Sequence, residues 1–256
     1  MKKDQSLEYW IGMGAELVGG GIGGAVGFAL GGPAGAILGG PTGTLISKSL
    51  GAVGLEMKSR MLSNRESIRI GAALSYFVNK VNENIEKGKV VRDDSFFENS
   101  ISNKSDAEEI YEGLLIAAQK EHEEKKIKYM GNLLGNIVFR TDIDKSFANL
   151  LIKEASNLSY RQMCLIKLFY ENNNKELKRS NYRQERIAEA KIPVLYEIID
   201  LDKRQLINNS IHHVMGLTDI IPDEYLPNGI GVLLYDLFEL NTMTQEEITS
   251  IKELLS

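Results

Sequence analysis

Seven glycines recur at strict four-residue spacing: Gly19, Gly23, Gly27, Gly31, Gly35, Gly39 and Gly43, with Ser47 and Gly51 extending the row. A second row of small residues runs beside it, Gly20, Gly24, Gly32, Ala36, Gly40 and Thr44, interrupted by Phe28. Residues four apart share one helix face, so the pattern predicts a groove in which another helix backbone can settle. In water each helical glycine costs roughly 1 kcal/mol relative to alanine, which disfavours a freestanding helix of this kind. In lipid an unpaired backbone group costs several kcal/mol, and small-xxx-small faces associate through packing. From Leu17 to Ser47 there are 31 residues without a charge. As continuous helix they would span about 46 Å, more than the ~30 Å hydrocarbon core.

Gly31-Gly32-Pro33 and Gly39-Gly40-Pro41 read as turns or kinks. Two membrane arrangements remain open, a hairpin folding near Pro33 with two spans of about 20 residues, or one kinked and tilted span. Tyr9 and Trp10 precede the segment, and Lys48, Lys58, Arg60, Arg65 and Arg69 follow it. Aromatics favour the headgroup zone and basic residues the cytoplasmic side. With Lys2 and Lys3 at the other end, the hairpin fits slightly better. A soluble glycine linker is the competing reading, but linkers are usually serine-rich and lack this period. A cleaved signal peptide is not expected, because Asp4, Glu8 and Glu16 interrupt its early region.

Whole-chain composition hides this contrast. Of 24 glycines in 256 residues, 16 lie between Gly12 and Gly54. Charged residues at 25% and hydrophobic ones at 43% match an ordinary globular protein and exclude a collagen-like, polytopic or wholly disordered chain. The net charge of −5 gives no global case for nucleic-acid binding. The single Cys164 excludes an intrachain disulfide, and its apolar neighbours Met163, Leu165 and Ile166 predict a buried thiol.

Several motifs fail on inspection. Gly19-x-Gly21-x-x-Gly24 matches a dinucleotide fingerprint by spacing, but that site needs a preceding strand and an acidic residue about 20 positions on. The next acidic residue is Glu56. A phosphate loop at Lys48-Ser49 lacks both required glycines, since Thr42 and Ser47 stand there. His122 would need a second histidine four residues on to resemble a zinc-protease helix, and position 126 is lysine. His212-His213 has no partner at ligand spacing. No metal site, cofactor site or nucleophile–base pair is predicted, and an enzyme is not expected.

After Gly54 the pattern becomes helical. Ser63-x-x-Glu66, Ser105-x-x-Glu108 and Ser159-x-x-Gln162 are capping boxes. They open helices carrying Ile70 to Val81, Ile110 to Ala118, and Met163 to Phe169. Residues 89–105 read as a loop, the charged run from Lys120 to Lys128 as a solvated face or helix junction, and Met130 to Phe139 as a further amphipathic helix. Beyond the break at Asn172-Asn173-Asn174 come short helical segments Val194–Ile199 and Leu201–Ile207, an extended arm over Ile211–Ile221, and a closing helix from Tyr225 through Leu240. The fold class is therefore mainly α, with N-terminal glycine-zipper membrane helices, a helical body and a C-terminal winged-helix-like module. The expected domains are a transmembrane or pore segment over 1–57, a helical oligomerisation domain over 58–157 and a sensing domain over 158–256.

Within the last domain a basic run, Lys175, Lys178, Arg179, Arg183 and Arg186, surrounds Tyr182, and Lys203-Arg204 add donors further on. Cations around an aromatic platform suit a short single-stranded oligonucleotide or another anionic ligand. These eight residues form the candidate ligand site, and the seven-glycine row is the candidate helix-packing or pore surface. The acidic balance of the domain argues against duplex DNA.

This organisation, carried by residues 11–54 and 160–240, resembles the small bacterial abortive-infection and antiphage membrane effectors, the Hailong-type effectors in particular. The resemblance implies a homo-oligomeric, tetrameric channel in the inner membrane with a cytoplasmic body. It also implies gating by a single-stranded oligodeoxynucleotide that a partner nucleotidyltransferase makes. The alternative is a membrane-tethered nucleic-acid-binding regulator without channel activity.

Overall fold

The computed structural model describes residues 41–58, 60, 62–99, 104–172, 176–209 and 214–256. The glycines from Gly19 to Gly39 lie outside the described residues, as do Lys175 and His212-His213. The fold is mainly helical. It divides into two compact units, the first ending at Asn157 and the second running Leu158–Ser256. None of the described helices is long and apolar enough to cross a membrane.

The N-terminal unit is built from helices α1 (Pro41–Lys58), α2 (Asn64–Glu86), α3 (Asp106–Lys120), α4 (Lys126–Ile137) and α5 (Lys145–Asn157). Helix α1 starts at the second proline of the glycine segment and includes Gly43. Its Ile46, Leu50, Val53 and Met57 are buried at spacings of three and four, and α3 is the helix it packs against. Burial of such side chains stabilises by about 1.5–3 kcal/mol each. Residues 41–57, grouped by sequence with the membrane segment, thus form a helix that packs on the body. At its end Arg60 pairs with Glu112 at 2.5 Å, and Lys104 bridges Glu56 at 2.7 Å and Glu112 at 2.9 Å. Exposed pairs of this sort are worth about 0–1 kcal/mol each, so apolar burial dominates the seam.

Helix α2 begins at a complete capping box. The Ser63 hydroxyl accepts the Glu66 N–H, and the Glu66 carboxylate accepts the Ser63 N–H at 2.7 Å. It ends before Gly88, whose φ of +79° suits glycine. Ser105 caps α3 by accepting the Glu108 N–H at 3.2 Å. Helix α4 lies against α2 at backbone range. A Cβ on Gly131 would come within 2.4 Å of Tyr76 Cβ and 2.8 Å of the Ala73 carbonyl oxygen, and one on Gly135 within 2.7 Å of Lys80 Cβ. Asn84 donates to Asn136 at 2.8 Å across the same buried seam. The charged junction between α3 and α4 is partly interior: Glu121 and Lys126 are buried and pair at 2.5 Å.

The C-terminal unit comprises α6 (Tyr160–Glu171), α7 (Ile192–Lys203), the antiparallel strands β1 (Ile207–Asn209) and β2 (Tyr225–Pro227), then α8 (Ile230–Phe238) and α9 (Gln245–Leu255). Ser159 completes a capping box with Gln162. The two short segments expected over 194–207 are one helix followed by a strand, with the reversal at Gln205 (φ +57°). Tyr225 opens a strand, not a helix, because its ring is buried against Phe169 of α6 with centroids 5.6 Å apart. Gly231 lets α8 leave this ribbon, since a Cβ there would sit 1.8 Å from the Leu206 carbonyl oxygen. The closing helix is α9, missed by the sequence reading although Thr244-x-x-Glu247 has the box pattern. Thr244 donates to Glu247 at 3.2 Å.

Candidate functional site

Between α6 and α7 the chain runs as an irregular strap, residues 176–191, with helical form only in the short turn Glu189–Lys191. Leu177 and Tyr182 anchor the strap by burial, and four of the predicted ligand residues surround them. Three backbone bonds hold it down. Lys178 N–H donates to the Leu255 carbonyl at 2.8 Å, Asp223 N–H to the Lys178 carbonyl at 3.1 Å, and Tyr182 N–H to the Thr218 carbonyl at 2.8 Å.

Tyr182 is no surface platform. Its side chain is 1% exposed, and burial pushes its phenol up to about 12. Lys178 and Lys191 place their ammonium groups 5.3 and 5.6 Å from the ring centroid. The exposed aromatic side chains of this unit, among the described residues, are Tyr170, stacked on Tyr235 at 3.7 Å, and Tyr196 of α7, 61% exposed. A base that stacks on this unit would find its ring there.

Most of the predicted cations have carboxylate partners. Lys178 meets Glu185 at 2.7 Å, Arg179 meets Asp223 at 3.4 Å and Arg183 meets Asp219 at 2.8 Å. Arg186 is exposed and makes no ion pair among the described residues. Asp219 is held below the usual carboxylate range, first by the Arg183 guanidinium and then by the N–H of Met215. Lys203 and Arg204 sit at the far end of α7, and Arg204 pairs with Asp200 at 3.3 Å. Twelve helical residues span about 18 Å, which separates these two donors from Lys191 at the end of the strap.

Within the basic run itself the acidic residues are Glu176 and Glu185. Asp219 and Asp223 lie about 40 residues further along, with no local pattern to announce them. A polar cleft of about 130 Å³ opens beside the strap's start, lined by Glu171, Asn172, Glu176, Gln245 and Lys252 among others. It is smaller than the ~300 Å³ at which drug-sized sites begin, and the Lys252–Glu176 ion pair lies within it. Among the described residues no group of three His, Cys, Asp or Glu is placed to hold a metal ion. His122 is exposed beside Glu121, and Cys164 is buried. Comparison with protein families, with curated proteins and with solved structures finds no match to this chain.

Proposed function

We propose that the chain is an oligomeric membrane effector, a channel of bacterial antiphage defence whose cytoplasmic body binds an anionic ligand that sets the state of the glycine-rich segment. One observation carries this reading: the uncharged run is continuous with the body through a helix. Helix α1 begins inside the run, at Pro41, and four of its side chains are buried in the N-terminal unit. A change in the body is felt at the start of α1 through these packed side chains.

The same continuity favours one span over two. A second span of about 20 residues after Pro33 would need Ile46, Leu50 and Val53, which α1 commits to the body. Residues 17–40 supply about 24 uncharged positions, enough for one span of ~20 with some tilt. Small-residue faces on such a span would pack between subunits, in keeping with a homo-oligomer. The tetrameric state, the inner-membrane location and a single-stranded oligodeoxynucleotide from a partner nucleotidyltransferase follow from the resemblance alone. For a winged-helix-like module, the supporting feature is the β1–β2 ribbon after α7.

Ion flux from liposomes carrying the full chain tests the proposal. Flux that depends on an added single-stranded oligonucleotide and disappears with Gly23→Leu and Gly27→Leu supports it. Undiminished flux with those substitutions refutes the glycine-row channel. Oligonucleotide binding without any flux favours the membrane-tethered regulator.

A further inference from the structure

The strap's arginines are occupied from within the unit by the segment that precedes β2. Asp219 gives Oδ1 to Arg183 at 2.8 Å and Oδ2 to the N–H groups of Met215 at 3.0 Å and Gly216 at 3.2 Å. That carboxylate therefore also holds the short turn Leu217–Asp219. Asp223 presents Oδ2 to Arg179 at 3.4 Å and accepts from Asn172 at its other oxygen at 2.9 Å. The side chains of Arg183 and Arg179 are 64% and 69% exposed, whereas those of Asp219 and Asp223 are 13% and 8% exposed. Each guanidinium thus faces solvent with its carboxylate behind it. An arriving phosphate meets the open side of a cation whose charge is already balanced.

We propose that the strap is a self-occupied anion site: Asp219 and Asp223 hold Arg183 and Arg179 in place of ligand phosphates, and ligand binding exchanges those carboxylates for phosphates. This inference rests on the reading of the strap as the anion site and adds its regulation. Arginine binds phosphate through paired charge-assisted hydrogen bonds, and an exposed ion pair contributes at most about a fivefold factor to an equilibrium. A ligand with several phosphates, touching Arg179, Arg183 and Arg186 together, can therefore displace both carboxylates. Once released by Arg183, Asp219 keeps only its backbone bonds, and the segment 215–223 loosens. Anion binding is in this way coupled to the connection between the two strands.

The test titrates the full chain with a dye-labelled single-stranded oligothymidylate, read by fluorescence anisotropy. Asp219→Asn and Asp223→Asn should each tighten binding about two- to fivefold. Adding Arg183→Gln to Asp219→Asn should cancel the gain, since no cation is left to release. In the wild-type protein, amide exchange at Met215 and Gly216 should quicken when the probe binds, a readout that needs no variant to fold. Wild-type binding with no gain in either Asn variant and unchanged exchange at Met215 and Gly216 overturns the self-occupied site. Failure of the wild type and both variants to bind the probe overturns the anion-site reading as well.

Discussion

The seam between α2 and α4 and the strap at 176–191 are held by opposite means. At the seam Gly131 and Gly135 bring two backbones so close that a single added carbon has no room, and Asn84 and Asn136 pair inside it. At the strap two buried side chains and a few backbone bonds act as anchors, and Arg179 and Arg183 reach Asp223 and Asp219 as exposed guanidinium groups. Close packing is short-ranged and indifferent to salt, and it fails abruptly when volume changes. Exposed ion pairs are weak, screened and exchangeable. The seam is therefore suited to hold a shape, and the strap to trade one partner for another.

The most severe way to break this contrast is Gly131→Leu. A branched side chain where even Cβ would stand 2.4 Å from Tyr76 should cost about 3 kcal/mol or more, read as a lower denaturant midpoint of the N-terminal unit. Asn136→Ala leaves the buried Asn84 amide without its partner and should cost about 1–3 kcal/mol by the same measurement. In the other unit, Ser159→Ala removes the cap of α6 and should lower stability by about 1 kcal/mol. Arg183→Ala, on the strap, should change thermal stability by less than about 1 kcal/mol and lose even that at high salt. A salt-insensitive loss of several kcal/mol there would erase the distinction.

The smallest effect appears only in acid. The Ser63 hydroxyl, with help from the Gln119 amide and the Ser63 N–H, draws the Glu66 carboxyl from 4.5 to about 2. A folded value below the unfolded one means that this contribution is complete above about pH 4.5 and is lost as pH falls toward 2. Melting temperatures measured over that window should fall less steeply for Ser63→Ala than for the wild type. Identical slopes would show that the capping box does not control this titration.

Much of the helical layout was legible because its signals are local. Ser63, Ser105 and Ser159 mark three helix starts, Gly88 marks a stop, and the three-and-four spacing of Ile70, Ala73, Leu74 and Phe77 marks a buried face. The C-terminal half of the second unit was less legible. Tyr225–Pro227 becomes a strand because Phe169, more than 50 residues away, offers a ring to pack on. The candidate site was legible as a list of cations and illegible as an arrangement. Tyr182 had the composition of a platform yet became an anchor, and the carboxylates that balance Arg179 and Arg183 come from two distant turns, Leu217–Asp219 and Pro222–Glu224.

By itself, then, the sequence determined the helical character of the chain, its capped starts and the abrupt change from a glycine-rich uncharged segment to a charged body. Each of these depends on neighbours within one or two helical turns. Only the tertiary structure decided that α1 belongs to the body, that Gly131 and Gly135 form the close seam, and that the basic strap meets acidic partners. Those outcomes depend on which distant surfaces exclude water together and which charges come within a few ångströms. Sequence spacing does not encode either quantity.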